Sequence, residues 1–138
     1  MGWQTYALAS AFFAGLTAIL GKVGVQGINS NLATFIRTIV IMIVTAAIIT
    51  YRSEWQQNEG ASSKTYLFLV LSGVATGLSW LCYYRALQLG PASQVAPVDK
   101  LSVAFAIVLA IVFLGEPLTL KTALGGLLVV AGSLVLAL

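Results

Sequence analysis

Residues 88–114, QLGPASQVAPVDKLSVAFAIVLAIVFL, decide the fold class. From Val103 to Leu114 the run has no polar side chain. A helix over residues 93–114, rising about 1.5 Å per residue, would cross a bilayer core of about 30 Å. Asp99 and Lys100 lie side by side just before the apolar run. The medium around this stretch therefore decides what the charged pair does.

The composition identifies that medium as lipid. The 138 residues are 59% hydrophobic and 8% charged, and their mean hydropathy is +0.98. A soluble domain is about 25% charged. Because this chain has too few polar side chains to cover a globule in water, we expect a multi-pass protein of the cell membrane.

Turn signals divide the chain into five apolar segments. The breaks are the turn at 27–29, the polar stretch at 52–64, Gly90-Pro91, and the Gly-Glu-Pro sequence at 115–117. Continuous apolar runs favour helices over the alternation of a membrane β-barrel. The sequence predicts an all-α polytopic protein, a single domain over 1–138 with five transmembrane helices. Their expected bounds are about 3–25, 31–51, 65–89, 93–114 and 118–138.

Basic residues are divided almost evenly between the two membrane faces that five spans define. The N-terminal side carries Arg52, Lys64 and Lys121, and the other side carries Lys22, Arg37, Arg85 and Lys100. Because an excess of Lys and Arg normally fixes orientation, this balance favours dual topology, with copies inserting both ways and pairing antiparallel. Insertion in one orientation is the alternative. On the second side Asp99 is the single acidic residue, so converging helices would enclose a net-positive vestibule.

Arg37 lies well inside the second apolar segment, about two turns from Asn31, with Thr34 on the same helical face. An ionisable residue within a span is a functional hypothesis by default. We therefore expect Arg37 and Thr34 to bind substrate. The alternative for Arg37 is a side chain that snorkels to the headgroups.

A second candidate group follows the third segment, where Trp80, Tyr84 and Gln88 recur at intervals of four residues. This spacing places the three side chains on one helical face, and Trp80 lies deeper than an interfacial aromatic belt. We expect this face to line a substrate site, with packing or an aromatic belt as the alternative. Arg85 is a further substrate candidate or a snorkelling cation.

Two helix starts are possible around Asp99. If Ala96 caps a helix whose first residue is Pro97, Asp99 lies in the first turn, where the helix dipole favours a carboxylate. If the helix begins at Ser93, Pro97 makes a local break. We expect the first, with Asp99-Lys100 opening a helix. Asp99 is interpreted as one half of an ion pair or as a proton-coupling carboxylate. Its candidate partners are Arg37, Arg85 and Lys100.

Residues for catalysis or metal binding are scarce. Histidine is absent, Cys82 is the one cysteine, and neither a phosphate-binding glycine loop nor paired intramembrane carboxylates occur. We expect no enzyme, no cofactor, no metal and no nucleic-acid partner. Expected partners are the lipid bilayer, a small-molecule substrate and a second copy of the chain.

The second half of the chain resembles a known family. Residues 83–136, YYRALQLGPASQVAPVDKLSVAFAIVLAIVFLGEPLTLKTALGGLLVVAGSLVL, are similar to the second half of an EamA domain, the repeat of the drug/metabolite transporter superfamily. A single five-helix repeat looks like the small branch of that superfamily, whose members pair as antiparallel dimers. The resemblance implies a secondary transporter that works by alternating access.

The last segment carries a small-residue pattern typical of helix packing in lipid. It is similar to the final-helix dimer seam of small multidrug-resistance transporters, which implies a dimer interface through Gly125, Gly126 and Gly132. Those transporters use a first-helix glutamate to bind cations, and the first segment here has no acidic residue. The net-positive vestibule instead favours zwitterionic or anionic metabolites, or a lipid-linked headgroup. The alternatives are a dual-topology small-anion channel and a flippase subunit for a lipid-linked headgroup.

Overall fold

The structure is a computed structural model that describes residues 2–56 and 60–138. Residue 1 and residues 57–59, in the middle of the predicted polar loop, lie outside the described part. The described residues form α-helices and one short 3₁₀ helix at Glu54–Gln56, with no strand among them. The α-helices are α1 (Trp3–Gly24), α2 (Ser30–Tyr51), α3 (Ser63–Leu89), α4 (Ala92–Asp99), α5 (Ser102–Leu114) and α6 (Leu120–Ala137).

Five helical stretches of the described chain are long and apolar enough to cross a membrane. Four of them are α1, α2, α3 and α6, and the remaining stretch, Ala92–Leu114, combines α4 and α5. The prediction of an all-α polytopic protein with five spans is therefore confirmed. The antiparallel homodimer stays a prediction.

Local signals explain where the helices begin and end. The side chain of Asn29 accepts a hydrogen bond from the Asn31 amide and caps α2, and Thr119 caps α6 by accepting from the Thr122 amide. Gly115 ends α5 in the left-handed region at φ 68°, a conformation that glycine adopts at little cost. Asn29, Gly115 and Thr119 therefore each lie at an observed helix end.

The fourth span differs from the expectation for Asp99. The helix α4 begins directly after Pro91, and Pro97 lies inside it, so Asp99 is its last residue. The prediction that Asp99 opens a helix is wrong, because Pro91 already provides the helix start. Pro97 has no N–H to donate to the Ser93 carbonyl. The chain responds with i→i+3 bonds, from the Lys100 amide to the Pro97 carbonyl and, further along, up to the Ala104 amide.

The described chain divides into two compact units. The central unit, residues 24–88, contains α2, the 3₁₀ helix and α3. The terminal unit, residues 2–23 and 89–138, contains most of α1 together with α4, α5 and α6, and α6 contacts both α4 and α5. In this second unit the Lys22 ammonium donates to the Gly90 carbonyl at 2.8 Å, which joins the end of α1 to the turn before α4.

Most large apolar side chains of the described chain are exposed. Val25 and Leu87 are fully buried, whereas Leu128 and Val135 on α6 are each 73% exposed. Such a surface is unfavourable in water and favourable against lipid tails or another apolar helix. The exposed surface of the described chain is therefore suited to a lipid bilayer.

Candidate functional site

Arg37 lies against two aromatic rings in the central unit. Its guanidinium carbon is 4.2 Å from the centroid of the Trp80 ring and 5.3 Å from that of Tyr84. Trp80 and Tyr84 meet Arg37 together because residues four apart lie above one another on the same face of α3. The structure thus brings together three residues that the sequence placed in two separate candidate groups.

The Arg37 side chain is half-buried, and Tyr84 is 5% exposed. A cation over an aromatic face contributes about 0.5–1 kcal/mol when exposed and about 2 or more when desolvated. Within residues 2–56 and 60–138, neither a carboxylate nor another hydrogen-bond acceptor is recorded for the Arg37 guanidinium. The Arg37 charge therefore interacts with the faces of the two rings, and its N–H groups are available to hydrogen-bond a ligand or water.

Thr34 is buried on α2, one turn before Arg37. Its hydroxyl donates to the Ser30 carbonyl at 2.9 Å, and its own carbonyl accepts from the Thr38 hydroxyl. Threonines often bond to the preceding turn in this way within helices. The predicted role of Thr34 in substrate binding is thereby limited to accepting a hydrogen bond.

Gln88 links α3 to the turn between α1 and α2. Its amide nitrogen donates to the Ile28 carbonyl at 2.8 Å and to the Val25 carbonyl at 3.3 Å. Its amide oxygen accepts from Arg85 Nη1 at 2.6 Å. Both ends of the Gln88 amide are therefore engaged within the central unit. In this arrangement Gln88 fixes the start of α2 against α3, and Arg85 is held at the same point.

Replacing Gln88 with Met is expected to lower the free energy of unfolding by about 1–3 kcal/mol, because it leaves the Ile28 and Val25 carbonyls without these donors. Equilibrium unfolding in sodium dodecyl sulfate measures this loss. Gln94→Met is the matched control, since the Gln94 side chain is exposed and no hydrogen bond is recorded for it in the described structure. Equal stability of the two variants would contradict the role of Gln88 in fixing the start of α2 against α3.

Asp99 and Lys100 form an ion pair at the junction of α4 and α5. Lys100 Nζ lies 3.3 Å from Asp99 Oδ2, and the two side chains are 52% and 36% exposed, respectively. Of the three candidate partners of Asp99, Lys100 is the one for which a salt bridge is recorded. Exposed pairs of this kind contribute little to stability. A role for Asp99 in proton coupling stays a prediction.

The glycines of α6 differ in their surroundings. A methyl group added at Gly126 would lie 2.8 Å from Cδ1 of Ile107 on α5, whereas one added at Gly125 or Gly132 would meet nothing within 4 Å. Gly126 therefore allows close packing of α5 and α6 within one chain. Gly125 and Gly132 are seven residues, or about two turns, apart and share a helical face. On α6 these two glycines have room for a larger side chain, for lipid or for a second molecule.

An open groove lies beside Gly132 in the terminal unit, with a volume of about 430 Å³ between α4 and α6. Its lining is apolar apart from Lys100 and Ser133. Ser133 itself is 5% exposed. No group of three or more His, Cys, Asp or Glu side chains that could hold a metal occurs among the described residues.

These features define a polytopic membrane protein with a cationic and aromatic cluster in its membrane-spanning helices. The sequence model of the EamA-like transporter family matches residues 1–138. The chain belongs to this family, whose members are transporters and not enzymes.

Two curated relatives are similar to the chain. A protein of a Sinorhizobium species, described as an uncharacterized transporter in the cobO 3′ region, is 53% identical over 135 residues, covering 98% of this chain and 96% of its own length. An uncharacterized protein of Methanocaldococcus jannaschii is 33% identical over 75 residues, covering 54% of this chain and 55% of its own length. No solved structure matches. The chain is thus a multi-pass transporter of the cell membrane.

Proposed function

We propose that the protein is a secondary transporter that moves a small metabolite by alternating access as an antiparallel homodimer. Arg37, Trp80 and Tyr84 contact the substrate. The observation that carries this proposal is the half-buried guanidinium of Arg37 on two aromatic rings within membrane-spanning helices. Ionisable groups inside membrane spans mark substrate pathways, and this one has its hydrogen-bonding edge available.

Two further features support the proposal. The fourth span is interrupted by turn residues at Lys100 and Leu101 that have i→i+3 hydrogen bonds, and interrupted helices are typical of secondary transporters, where they form substrate and ion sites. The balanced distribution of basic residues supports insertion in both orientations. Two oppositely oriented copies provide the symmetry that equal access from both faces needs.

The orientation is tested by cysteine labelling in a Cys82→Ser background. We expect Gly2→Cys and Leu138→Cys each to be labelled about half by a membrane-impermeant maleimide applied to intact cells, because the two termini lie on opposite faces in each copy and the copies are mixed. Complete labelling of one terminus and none of the other would show a single orientation and exclude the antiparallel pair.

Transport is tested with the purified protein in liposomes. A metabolite that raises its thermal unfolding midpoint is loaded inside, and uptake of the radiolabelled compound is followed from outside. A carrier is stimulated by substrate on the far side, whereas a dual-topology anion channel is not. Vesicles containing Arg37→Gln protein are the control. The anion channel is the second candidate because the Arg37 charge has no recorded counter-ion in the described residues; uptake without counterflow would favour it.

A further inference from the structure

The cluster around Arg37 contains hydrogen-bond donors in excess. The guanidinium of Arg37 offers five N–H groups, the indole of Trp80 one, and the phenol of Tyr84 one O–H. In the described part of the chain, no acceptor is recorded for any of them. The nearby Thr34 hydroxyl donates its own proton to a backbone carbonyl. A ligand that displaces water from these donors must therefore bring the acceptors.

We propose that this cluster binds a monovalent oxyanion, and that the substrate is a small molecule with a carboxylate as its single negative charge. This inference deepens the proposed function and rests on it. A carboxylate presents two oxygens at the spacing of the guanidinium fork. Its binding would give these donors a charged acceptor, and hydrogen bonds to a charged group are about twice as strong as those between neutral groups.

The charge count favours one negative charge over two. Arg37 is the single cation recorded on the Trp80 and Tyr84 rings in the described structure. Arg85, next to Tyr84 in sequence, keeps its charge, but its exposed side chain bonds to Gln88, and no contact of its guanidinium with the two rings is recorded in the described structure. A phosphate dianion would carry one uncompensated charge into a membrane site, which is expensive. A monocarboxylate leaves the site neutral.

The same geometry disfavours organic cations. Lipophilic cations bind to aromatic faces, and here Arg37 already lies over the rings of Trp80 and Tyr84. An incoming cation would have to displace the guanidinium or approach it against like charge. The ring pair therefore serves to hold Arg37 in place for an anion.

Trp80 provides a direct readout of the local charge. The chain has three tryptophans, so Trp3→Phe with Trp55→Phe leaves Trp80 as the one indole emitter. Protein in nanodiscs is titrated with iodide, caesium or acrylamide at constant ionic strength. In water a unit positive charge about 4 Å away changes the energy of a monovalent ion by about 1 kcal/mol, so relative to Arg37→Gln we expect iodide quenching to be stronger and caesium quenching weaker, each by up to about five-fold. Sodium benzoate should suppress the iodide quenching.

Arg37→Gln in the same background should remove the preference for iodide while acrylamide quenching persists. Arg52→Gln is the matched control, because it deletes an arginine charge that is paired with Glu54 at 2.8 Å and should leave the preference intact. If the variant lacking two tryptophans does not fold, benzoate stabilisation of the unmodified protein against heat, and its loss in Arg37→Gln, gives the same test.

The outcomes separate the inference from the proposed function. Equal quenching by iodide and caesium, or no protection by benzoate, would overturn the anion site. Stronger protection by phosphate than by benzoate at equal concentration would overturn the single-charge assignment. If an anionic lipid in the nanodisc suppresses iodide quenching, the oxyanion is a lipid headgroup. Iodide selectivity together with absent counterflow would support the anion site while refuting the carrier. Counterflow without iodide selectivity would support the carrier and refute the anion site.

Discussion

Arg37→Gln is expected to abolish substrate counterflow, with at least about a 100-fold loss of initial rate. A hydrogen bond to a charged group contributes about 1.5–3 kcal/mol, and two lost bonds at the lower value already correspond to about 3 kcal/mol, or roughly 150-fold. Gln also lacks the charge that lies 4.2 Å from the Trp80 centroid. The measurement is the initial rate of counterflow in liposomes containing equal amounts of folded protein.

Arg37→Lys separates charge from geometry. Lysine keeps the positive charge but lacks the planar fork and stacks poorly on indole, so we expect a rate between those of the unmodified protein and Arg37→Gln. Arg52→Gln is expected to transport normally. If Arg37→Gln keeps a rate within about two-fold of the unmodified protein, less than a single charged hydrogen bond is involved, and Arg37 does not bind substrate.

The double variant Gly125→Leu with Gly132→Leu is expected to dissociate the proposed dimer and stop transport. Neither glycine has a neighbour within 4 Å of an added Cβ in its own chain, so leucine at Gly125 would enter the partner's space, and leucine at Gly132 would occupy that space or the groove beside α4. Association of membrane helices depends on close packing at small residues, and a loss of about 1.4 kcal/mol weakens the dimer about tenfold. Light scattering of the protein–detergent complex measures the change in mass.

Gly126→Leu is the matched comparison on the same helix. Its new side chain would meet Ile107 on α5, so we expect a less stable chain that still forms dimers. A double variant that stays dimeric and active would show that the open face of α6 meets lipid. A Gly126→Leu protein that becomes monomeric while keeping its unfolding midpoint would move the interface to that glycine.

Much of the fold could be predicted because hydropathy and turn residues act locally. Gly115 ends one helix and Asn29 begins another, and both act through their own backbone or side chain without needing distant contacts. The stripe of Trp80 and Tyr84 was also predictable from its spacing. Its contact with Arg37 was not, because the rotation of α2 against α3 depends on tertiary packing that no local pattern records.

Two local assignments depended on more than residue type. Pro97 is favourable at a helix start, but Pro91 lies six residues earlier and takes that position, which moves Asp99 to the end of α4. Gln88 could be recognised as a polar residue on a candidate face. Its partners are the backbone carbonyls of Val25 and Ile28. Because every residue has a backbone carbonyl, residue types do not indicate which ones Gln88 contacts.

The i→i+3 bonds that follow Pro97 would allow the fourth span to change its length. A 3₁₀ helix rises about 2.0 Å and turns about 120° per residue, against about 1.5 Å and 100° in an α-helix. Each residue that passes from 3₁₀ to α-helical geometry would shorten the span by about 0.5 Å and rotate α5 about 20° against α4. A change of hydrogen-bond pattern at Lys100 and Leu101 would thus couple a small axial movement of one half of the span to a rotation of the other half.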